Sequence, residues 1–197
     1  MAFGGGHAMT DVEEMFVTSG AVLQGHFLLA SGLHSPVYWE KFRVLQFPDY
    51  TEQLCGIIAD HYRDYGVQVV AGPTTGGIIL AFEVARQLRT RAIYAERAEP
   101  EGRTFRRGQT ITPGERVLVV DDILTAGGSV RGVIAAVSAL GGEIAGIGVL
   151  VDRSEASIDF GAPLFSCHRT TIETYTPANC PQCAAQVPLV KPGGGQP

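Results

Sequence analysis

The sequence has little charge, few cysteines and no long apolar run, and each shortage argues against a class of protein. Charged residues make up 18% of the 197 residues, with 15 basic side chains against 20 acidic ones. The formal net charge of -5 gives no clustered basic excess of the kind that nucleic-acid binding requires. No stretch approaches the ~18 consecutive apolar residues that span a membrane. We therefore expect neither a nucleic acid nor a membrane as a partner.

The four cysteines are too few and too unevenly spaced for a disulfide framework, which favours a cytoplasmic protein. Cys180 and Cys183 have the spacing of a zinc knuckle, and Cys167 with His168 could complete four ligands. One Cys-x-x-Cys pair is a weak signal by itself. A pair of reduced thiols at the surface is the alternative interpretation.

Hydrophobic residues make up 45% of the chain, which is enough for one domain with a sizeable core. Residues 1–8 are rich in glycine and predict a tag remnant or a disordered tail. Residues 9–178 are expected to form the single domain. Residues 179–197 then form a tail that contains the Cys-x-x-Cys pair and is rich in proline and glycine.

From residue 67 onward, short apolar runs alternate with helical patterns. Strands are expected at residues 67–71, 91–95, 116–120 and 144–151, helices at 48–65, 78–88 and 129–140, and a long polar loop at 96–108. This alternation predicts an α/β fold with a central, mostly parallel sheet flanked by helices. In such sheets, ligands bind at the carboxyl ends of the strands.

The most informative strand end begins at Asp121 and Asp122. An apolar strand leads to these carboxylates, and a turn of small residues follows and opens a helix. Backbone N–H groups of such a turn form a phosphate cradle, while carboxylates suit ribose hydroxyls or a magnesium ion. A ribose 5-phosphate site is therefore predicted, with ordinary strand–turn–helix capping as the alternative. The binding residues would be Asp121, Asp122, Ile123, Leu124, Thr125, Ala126, Gly127, Gly128 and Ser129.

Residues 117–129 resemble the phosphoribosyl-pyrophosphate (PRPP) signature of the type I phosphoribosyltransferases. Residues 25–39, in which a Ser-Gly-x-x-Ser-Pro run leads into Tyr38 and Trp39, look like the base-covering segment of orotate phosphoribosyltransferases. The pair Asp152-Arg153 is similar to a third motif of that family. The resemblance covers residues 21–155. It implies the type I fold with a small N-terminal hood at about residues 10–45.

The resemblance implies transfer of the ribose 5-phosphate of PRPP to orotate, giving orotidine 5′-monophosphate and pyrophosphate. This is a pentosyltransferase step (EC 2.4.2.10) of de novo pyrimidine (UMP) biosynthesis. Asp121 and Asp122 would hold the ribose hydroxyls, the 125–129 loop the 5′-phosphate, and Arg153 the orotate carboxylate. The 72–77 turn, with Thr75 and Gly76, would bind pyrophosphate. The resemblance also implies a homodimer. It implies Mg²⁺ as a cofactor, bound to PRPP and not to ligands from the protein.

Several positions depart from the family pattern. Ala30 replaces a basic residue, Gly76 replaces a lysine of some members, and Pro100 and Gly102 stand at the usual lysine and histidine of the mobile loop. Arginines occur in that loop instead. Arg97 and Arg103 are the catalytic candidates that would stabilise the leaving group.

Other interpretations remain open at this point. Tyr38 and Trp39 could pack at the edge of a core. His26 and His34 could be ligands, although lone histidines on turns are more often merely exposed or hydrogen-bonded. A purine-type phosphoribosyltransferase or a PRPP-sensing regulator without catalysis could use the same ribose phosphate loop.

Overall fold

The structure, a computed structural model, describes residues 12–29, 31–99 and 102–192. Its contacts divide the chain into a hairpin unit, Met1–Val44 with Ile172–Pro197, and a sheet unit, Leu45–Thr171. The expectations for residues 1–8 and the departures at Ala30 and Pro100 lie outside the described residues.

The hairpin unit begins with helix α1 (Val12–Thr18), followed by the antiparallel strands β1 (Val22–Leu28) and β2 (His34–Trp39) and by helix α2 (Lys41–Leu45). Aromatic side chains hold these elements together. The ring centroid of Phe16 lies 4.9 Å from that of Trp39, and that of Phe27 lies 5.7 Å from that of Tyr38. Strand β1 has seven residues and strand β2 has six.

The sheet unit contains one six-stranded sheet with helices between its strands. Its elements are α3 (Pro48–Tyr62), β3 (Val69–Pro73), α4 (Gly76–Leu88), β4 (Arg91–Arg97), β5 (Arg103–Phe105), β6 (Arg116–Leu124), α5 (Gly128–Ala139), β7 (Glu143–Asp152) and β8 (Leu164–Arg169). The strand order is β5-β4-β3-β6-β7-β8, and every neighbouring pair is parallel except β4 with β5. The predicted α/β fold with a mostly parallel sheet is confirmed.

Alternate residues of the central strands bury opposite faces of this sheet. Val119 and Ile147 belong to the core cluster on one face, into which α5 places Val133. On the other face, a side chain at Gly146 would collide with Tyr62 of α3. Helices therefore cover both faces, as strands buried on both sides require. Among the described residues, no helix is both long and apolar enough to cross a membrane.

The tightest contact between α3 and the sheet makes a stability prediction. A Cβ atom at Gly146 would lie 2.3 Å from Cε1 of Tyr62, whose hydroxyl lies 2.9 Å from the backbone oxygen of Ile147. Because neither the strand nor this ring can retreat easily, Gly146→Ala should lower the free energy of unfolding by about 1–3 kcal/mol. Gly56→Ala in α3 is the control, since its Cβ would meet only the flexible end of Gln87. Urea unfolding measures the free energy of unfolding of each variant. Equal values for Gly146→Ala and Gly56→Ala would contradict this packing.

The structure departs from the sequence expectations at several places in the sheet unit. The expected loop at 96–108 is partly a hairpin, because β4 runs to Arg97 and β5 pairs with it. Strand β6 continues through the two acids to Leu124, since its pairing with β7 persists that far. Helix α3 ends at Tyr62 rather than at residue 65. A separate turn follows it, in which the N–H of Tyr65 donates to the backbone oxygen of Tyr62. Strand β8 was not expected at all.

The described C-terminal residues belong to the hairpin unit. A short 3₁₀ turn (Pro177–Asn179) and helix α6 (Pro181–Ala184) lead to a segment that lies beside β1. The N–H of Leu28 donates to the backbone oxygen of Val190, at 2.8 Å. The N–H of Val190 donates to the backbone oxygen of His26, also at 2.8 Å. Residues 179–192 are therefore attached to the hairpin by backbone hydrogen bonds, in place of the separate tail expected from sequence.

Candidate active site

Four neighbouring strands of the sheet unit end at the same edge. Strands β4, β3, β6 and β7 are adjacent and parallel, so their carboxyl ends lie side by side. They lead, in that order, to Arg97 and β5, to the 72–77 turn, to the 125–129 loop and to Arg153. The sheet thus brings the separate motifs of this unit to one edge, where open parallel sheets bind ligands.

The two acids at the end of β6 are both almost buried. Asp121 is 6% exposed and Asp122 is 4% exposed. The N–H of Asp122 donates to Oδ1 of Asp121, at 2.9 Å, and the N–H of Ile123 donates to Oδ1 of Asp122, at 2.8 Å. Each carboxylate is oriented by the backbone of the next residue. Oriented carboxylates in a partly dry setting are good acceptors for hydroxyl donors.

The 125–129 loop connects these acids to the start of α5. Gly127 has a φ of +78°, a conformation that side chains disfavour, and a Cβ atom there would lie 2.8 Å from the ring of Phe160. Helix α5 begins at Gly128, so its first N–H groups have no intrahelical acceptor. Thr125 and Ser129 are exposed and add hydroxyl groups. The loop therefore offers N–H and O–H donors at a helix N-terminus, which suits a phosphate.

The 72–77 turn is formed in the same way at the end of β3. A Cβ atom at Gly72 would lie 2.2 Å from the backbone oxygen of Gly77, so only glycine permits this closure. Helix α4 begins at Gly76, and Thr75 before it is exposed. The peptide bond between Thr74 and Thr75 is cis. Two helix N-termini thus lie at adjacent strand ends.

Arg103 contacts both of these segments. Its Nη1 donates to the backbone oxygen of Ala95, at 3.1 Å, and lies 3.5 Å from Oγ1 of Thr74, while its Nη2 lies 3.4 Å from Oγ of Ser129. The pKa of Arg103 lies below its usual value, mainly because the side chain is partly buried. The carboxylate of Asp121 opposes this lowering, and the positive charge of Arg97 adds to it. An arginine remains a cation at neutral pH under such shifts. The guanidinium therefore places positive charge between the turn and the loop.

The other loop arginines are placed differently. Arg97 is exposed and pairs with Arg103 across the β4–β5 ladder. Nε of Arg107 lies 2.6 Å from Oε1 of Glu96, and Nη1 of Arg106 lies 3.9 Å from the same carboxylate. Glu96 offsets the charge of these last two. Among the described residues, Arg103 makes no such ion pair, which distinguishes it from Arg106 and Arg107.

Arg153 follows β7 directly. Its N–H donates to the backbone oxygen of Leu124, at 2.8 Å, which holds it beside the end of β6. The preceding Asp152 accepts hydrogen bonds from the N–H and Oγ of Ser154, at 2.8 and 2.6 Å. These bonds link the two residues that flank Arg153. Sequence analysis did not single out Thr74 and Ser154 as contact and positioning residues, although a serine two residues after an aspartate is a recognisable turn signal.

Tyr38 and Trp39 belong to β2 of the hairpin unit. Trp39 is 5% exposed and packs on Phe16, which is what the core-packing interpretation predicts for it. Tyr38 is half-buried.

The histidine and cysteine expectations require correction. His26 and His34 are neither exposed nor in a turn; they lie on β1 and β2 and are buried beside Cys180 and Cys183. Cys167 and His168 lie on β8 of the sheet unit, where Sγ of Cys167 contacts the oxygen of Leu54. They are not part of the one metal-ligand cluster that the described residues form.

Comparison with known proteins agrees with this geometry. The model of the phosphoribosyl transferase domain matches residues 44–171. An orotate phosphoribosyltransferase of Caldanaerobacter subterraneus subsp. tengcongensis is 48% identical over 92% of this chain and 95% of its own length. The crystal structure of an orotate phosphoribosyltransferase from Aeropyrum pernix aligns with a TM-score of 0.69 and 27% identity, covering 80% of this chain and 93% of that one.

The fold alone does not distinguish the base. An adenine phosphoribosyltransferase from Thermoanaerobacter pseudethanolicus aligns with a TM-score of 0.59 at 17% identity, covering 68% of this chain and 88% of that one. Sequence similarity over nearly the whole chain is more specific than this shared fold. The chain belongs to the phosphoribosyltransferase family and, within it, to the orotate phosphoribosyltransferases.

Proposed function

We propose that the edge formed by β4, β3, β6 and β7 transfers the ribose 5-phosphate of PRPP to orotate. The observation that carries this proposal is the meeting of two oriented carboxylates with two glycine-containing helix N-termini at adjacent strand ends. The 125–129 loop holds the 5′-phosphate, Asp121 and Asp122 accept the ribose hydroxyls, and the 72–77 turn holds the pyrophosphate. A ring nitrogen of orotate bonds to C1′ of the ribose as the bond from C1′ to the pyrophosphate oxygen breaks, and the proton of that nitrogen passes to the departing pyrophosphate.

Charge development explains what the remaining residues do. Pyrophosphate gains negative charge as it leaves, while the ribose becomes cation-like. Arg103, between the turn and the loop, stabilises the leaving group, and Arg97 adds a second positive charge nearby. The protein otherwise positions the two substrates, which can supply much of the rate acceleration. Arg153 pairs with the orotate carboxylate. For Tyr38 and Trp39, on β2 of the hairpin unit, a role in covering the base rests on the family resemblance alone.

Magnesium enters this proposal as a cofactor carried by PRPP. Among the residues that the structure describes, Asp121 and Asp122 do not belong to a cluster of three or more potential metal ligands. Arg103 contacts the 72–77 turn through Thr74, and one guanidinium balances only part of the negative charge of a pyrophosphate. When bound to the pyrophosphate oxygens, Mg²⁺ would neutralise part of their charge.

The activity is tested by mixing the purified protein with PRPP, MgCl₂ and either orotate or a purine base. We expect orotate to be consumed, with one pyrophosphate released for each orotidine 5′-monophosphate formed. Consumption of adenine, guanine or hypoxanthine in place of orotate would support the purine-type alternative. PRPP binding without turnover of any base would support the regulator alternative and contradict the proposed reaction.

Arg153 provides a separate test of acceptor recognition. Arg153→Ala should raise KM for orotate by about tenfold or more and leave KM for PRPP nearly unchanged, because a charged hydrogen-bonding partner is lost only to the base. Arg116→Ala is the matched control, since Arg116 begins β6 at the opposite end of the strand. Steady-state kinetics with each substrate varied in turn measures the split. Equal changes in both KM values would show that Arg153 does not bind the carboxylate.

We also propose that the enzyme is a homodimer, as the family resemblance implies. Light scattering on the purified protein should give twice the mass of one chain, 20.9 kDa. A monomer mass at assay concentration would contradict this assembly.

A further inference from the structure

A compact cluster of nitrogen and sulfur ligands lies in the hairpin unit. The cluster consists of His26 on β1, His34 on β2, and Cys180 and Cys183 at the start of α6. Their four ligand atoms all lie within 4.8 Å of one another. Both rings and the Cys180 side chain are buried, at 2%, 4% and 3% exposure, while Cys183 is exposed. Both cysteines are free thiols.

The distances within the cluster resemble the edges of a zinc tetrahedron. Bonds of about 2.0–2.1 Å to nitrogen and 2.3 Å to sulfur imply edges of about 3.3 Å between nitrogens and about 3.6 Å between nitrogen and sulfur. Sγ of Cys183 lies 3.6 Å from Nε2 of His26 and 3.3 Å from Nδ1 of His34, and Sγ of Cys180 lies 3.4 Å from Nε2 of His26. The two nitrogens lie 2.9 Å apart, so binding an ion needs a separation of only a few tenths of an ångström.

The tautomer of His26 is set by its other nitrogen. Nδ1 of His26 lies 2.8 Å from the backbone oxygen of Val187, which can only accept, so Nδ1 carries the proton. In the neutral ring, Nε2 then presents its lone pair to the cluster. A histidine that donates one N–H to a carbonyl and coordinates through the other nitrogen is the usual arrangement at zinc sites.

From these contacts we propose that His26, His34, Cys180 and Cys183 bind one zinc ion as a structural Cys₂His₂ site. All four tetrahedral positions are filled by protein ligands, which is the form of structural rather than catalytic zinc. The ion joins the C-terminal segment to the β1–β2 hairpin across 154 positions of sequence from His26 to Cys180. Closing so long a loop stabilises the attachment that the Val190 and Val187 contacts begin.

The site is tested by metal analysis, which does not depend on the proposed activity. The full chain is purified from zinc-supplemented cells, dialysed and measured by plasma mass spectrometry. We expect one zinc per chain in the wild type and in Cys167→Ser, the control whose thiol lies on β8. The double variant Cys180→Ser/Cys183→Ser should retain at least tenfold less zinc, since losing even a group that only hydrogen-bonds to a ligand weakens metal sites by about 10–100-fold.

A second measurement uses only the wild type, in case the double variant does not fold. Iodoacetamide should label Cys180 and Cys183 only after a chelator is added, while labelling of Cys167 stays unchanged. Three results would overturn the proposal: no zinc in the wild type, zinc that the double variant retains in full, or a Cys180–Cys183 disulfide in the wild type as purified from zinc-supplemented cells.

Discussion

Arg103→Ala is expected to lower kcat by about 100- to 1,000-fold, the usual effect of removing one donor that stabilises developing negative charge. The side chain contacts both the 72–77 turn and Ser129, so its positive charge lies where pyrophosphate is proposed to leave. Because the guanidinium acts mainly in the transition state, KM for both substrates should change less than kcat. Steady-state rates at saturating PRPP and orotate measure this.

The matched control is Arg107→Ala in the same loop. Arg107 is largely exposed and paired with Glu96, so its loss should change kcat by no more than about twofold. Arg103→Lys keeps the charge but not the two-pronged donor geometry, and we expect it to recover part of the lost rate. If Arg103→Ala keeps wild-type kcat while Arg97→Ala loses it, the leaving group is stabilised by Arg97 instead.

Asp121→Asn and Asp122→Asn should each lower kcat/KM for PRPP by about 100-fold, because a charged acceptor for a ribose hydroxyl becomes a neutral one. Asparagine has nearly the same shape, and its Oδ1 can still accept the N–H of the next residue, at present 2.9 and 2.8 Å away. The fold should therefore remain intact, which thermal unfolding of each variant checks.

Asp159→Asn is the control for these acids. Asp159 is exposed and its Oδ1 accepts the N–H of Gly161 in a surface turn, outside the proposed site. Its kcat/KM for PRPP should equal that of the wild type. A loss of the same size in all three variants would indicate a general effect of charge and not ribose binding.

The alternation of strands and helices was predictable because each segment is local and strongly patterned. Parallel strands then place their carboxyl ends together, which is why motifs as far apart as the 72–77 turn and Arg153 could be assigned to one site. The assignment of roles within that site rests on the family resemblance. Without that resemblance, the two acids and the turn of small residues at 121–129 support no more than a ribose phosphate site.

The remaining features depend on contacts that sequence pattern does not encode. Strand β8 is half-buried along most of its length and shows no alternation, so nothing marks it as an edge strand. The extension of β6 through two acids runs against their low strand propensity, and pairing with β7 overrides it. For Cys180 and Cys183, sequence offered Cys167 and His168 as ligands that could complete a zinc site, with reduced surface thiols as the alternative. The folded chain instead brings His26 and His34 to them.

The central claim is that PRPP binds between the two helix N-termini at the edge formed by β4, β3, β6 and β7. Backbone amide chemical shifts, followed by NMR as PRPP and MgCl₂ are added, test this location directly. The claim predicts that the largest shifts fall on residues 74–77 and 125–129, with Asp121→Asn reducing them. A different pocket of 430 Å³ lies beside β8 and is lined by Ile158, Asp159 and Leu164. Shifts concentrated around that pocket, with the two turns unchanged, would contradict the claim.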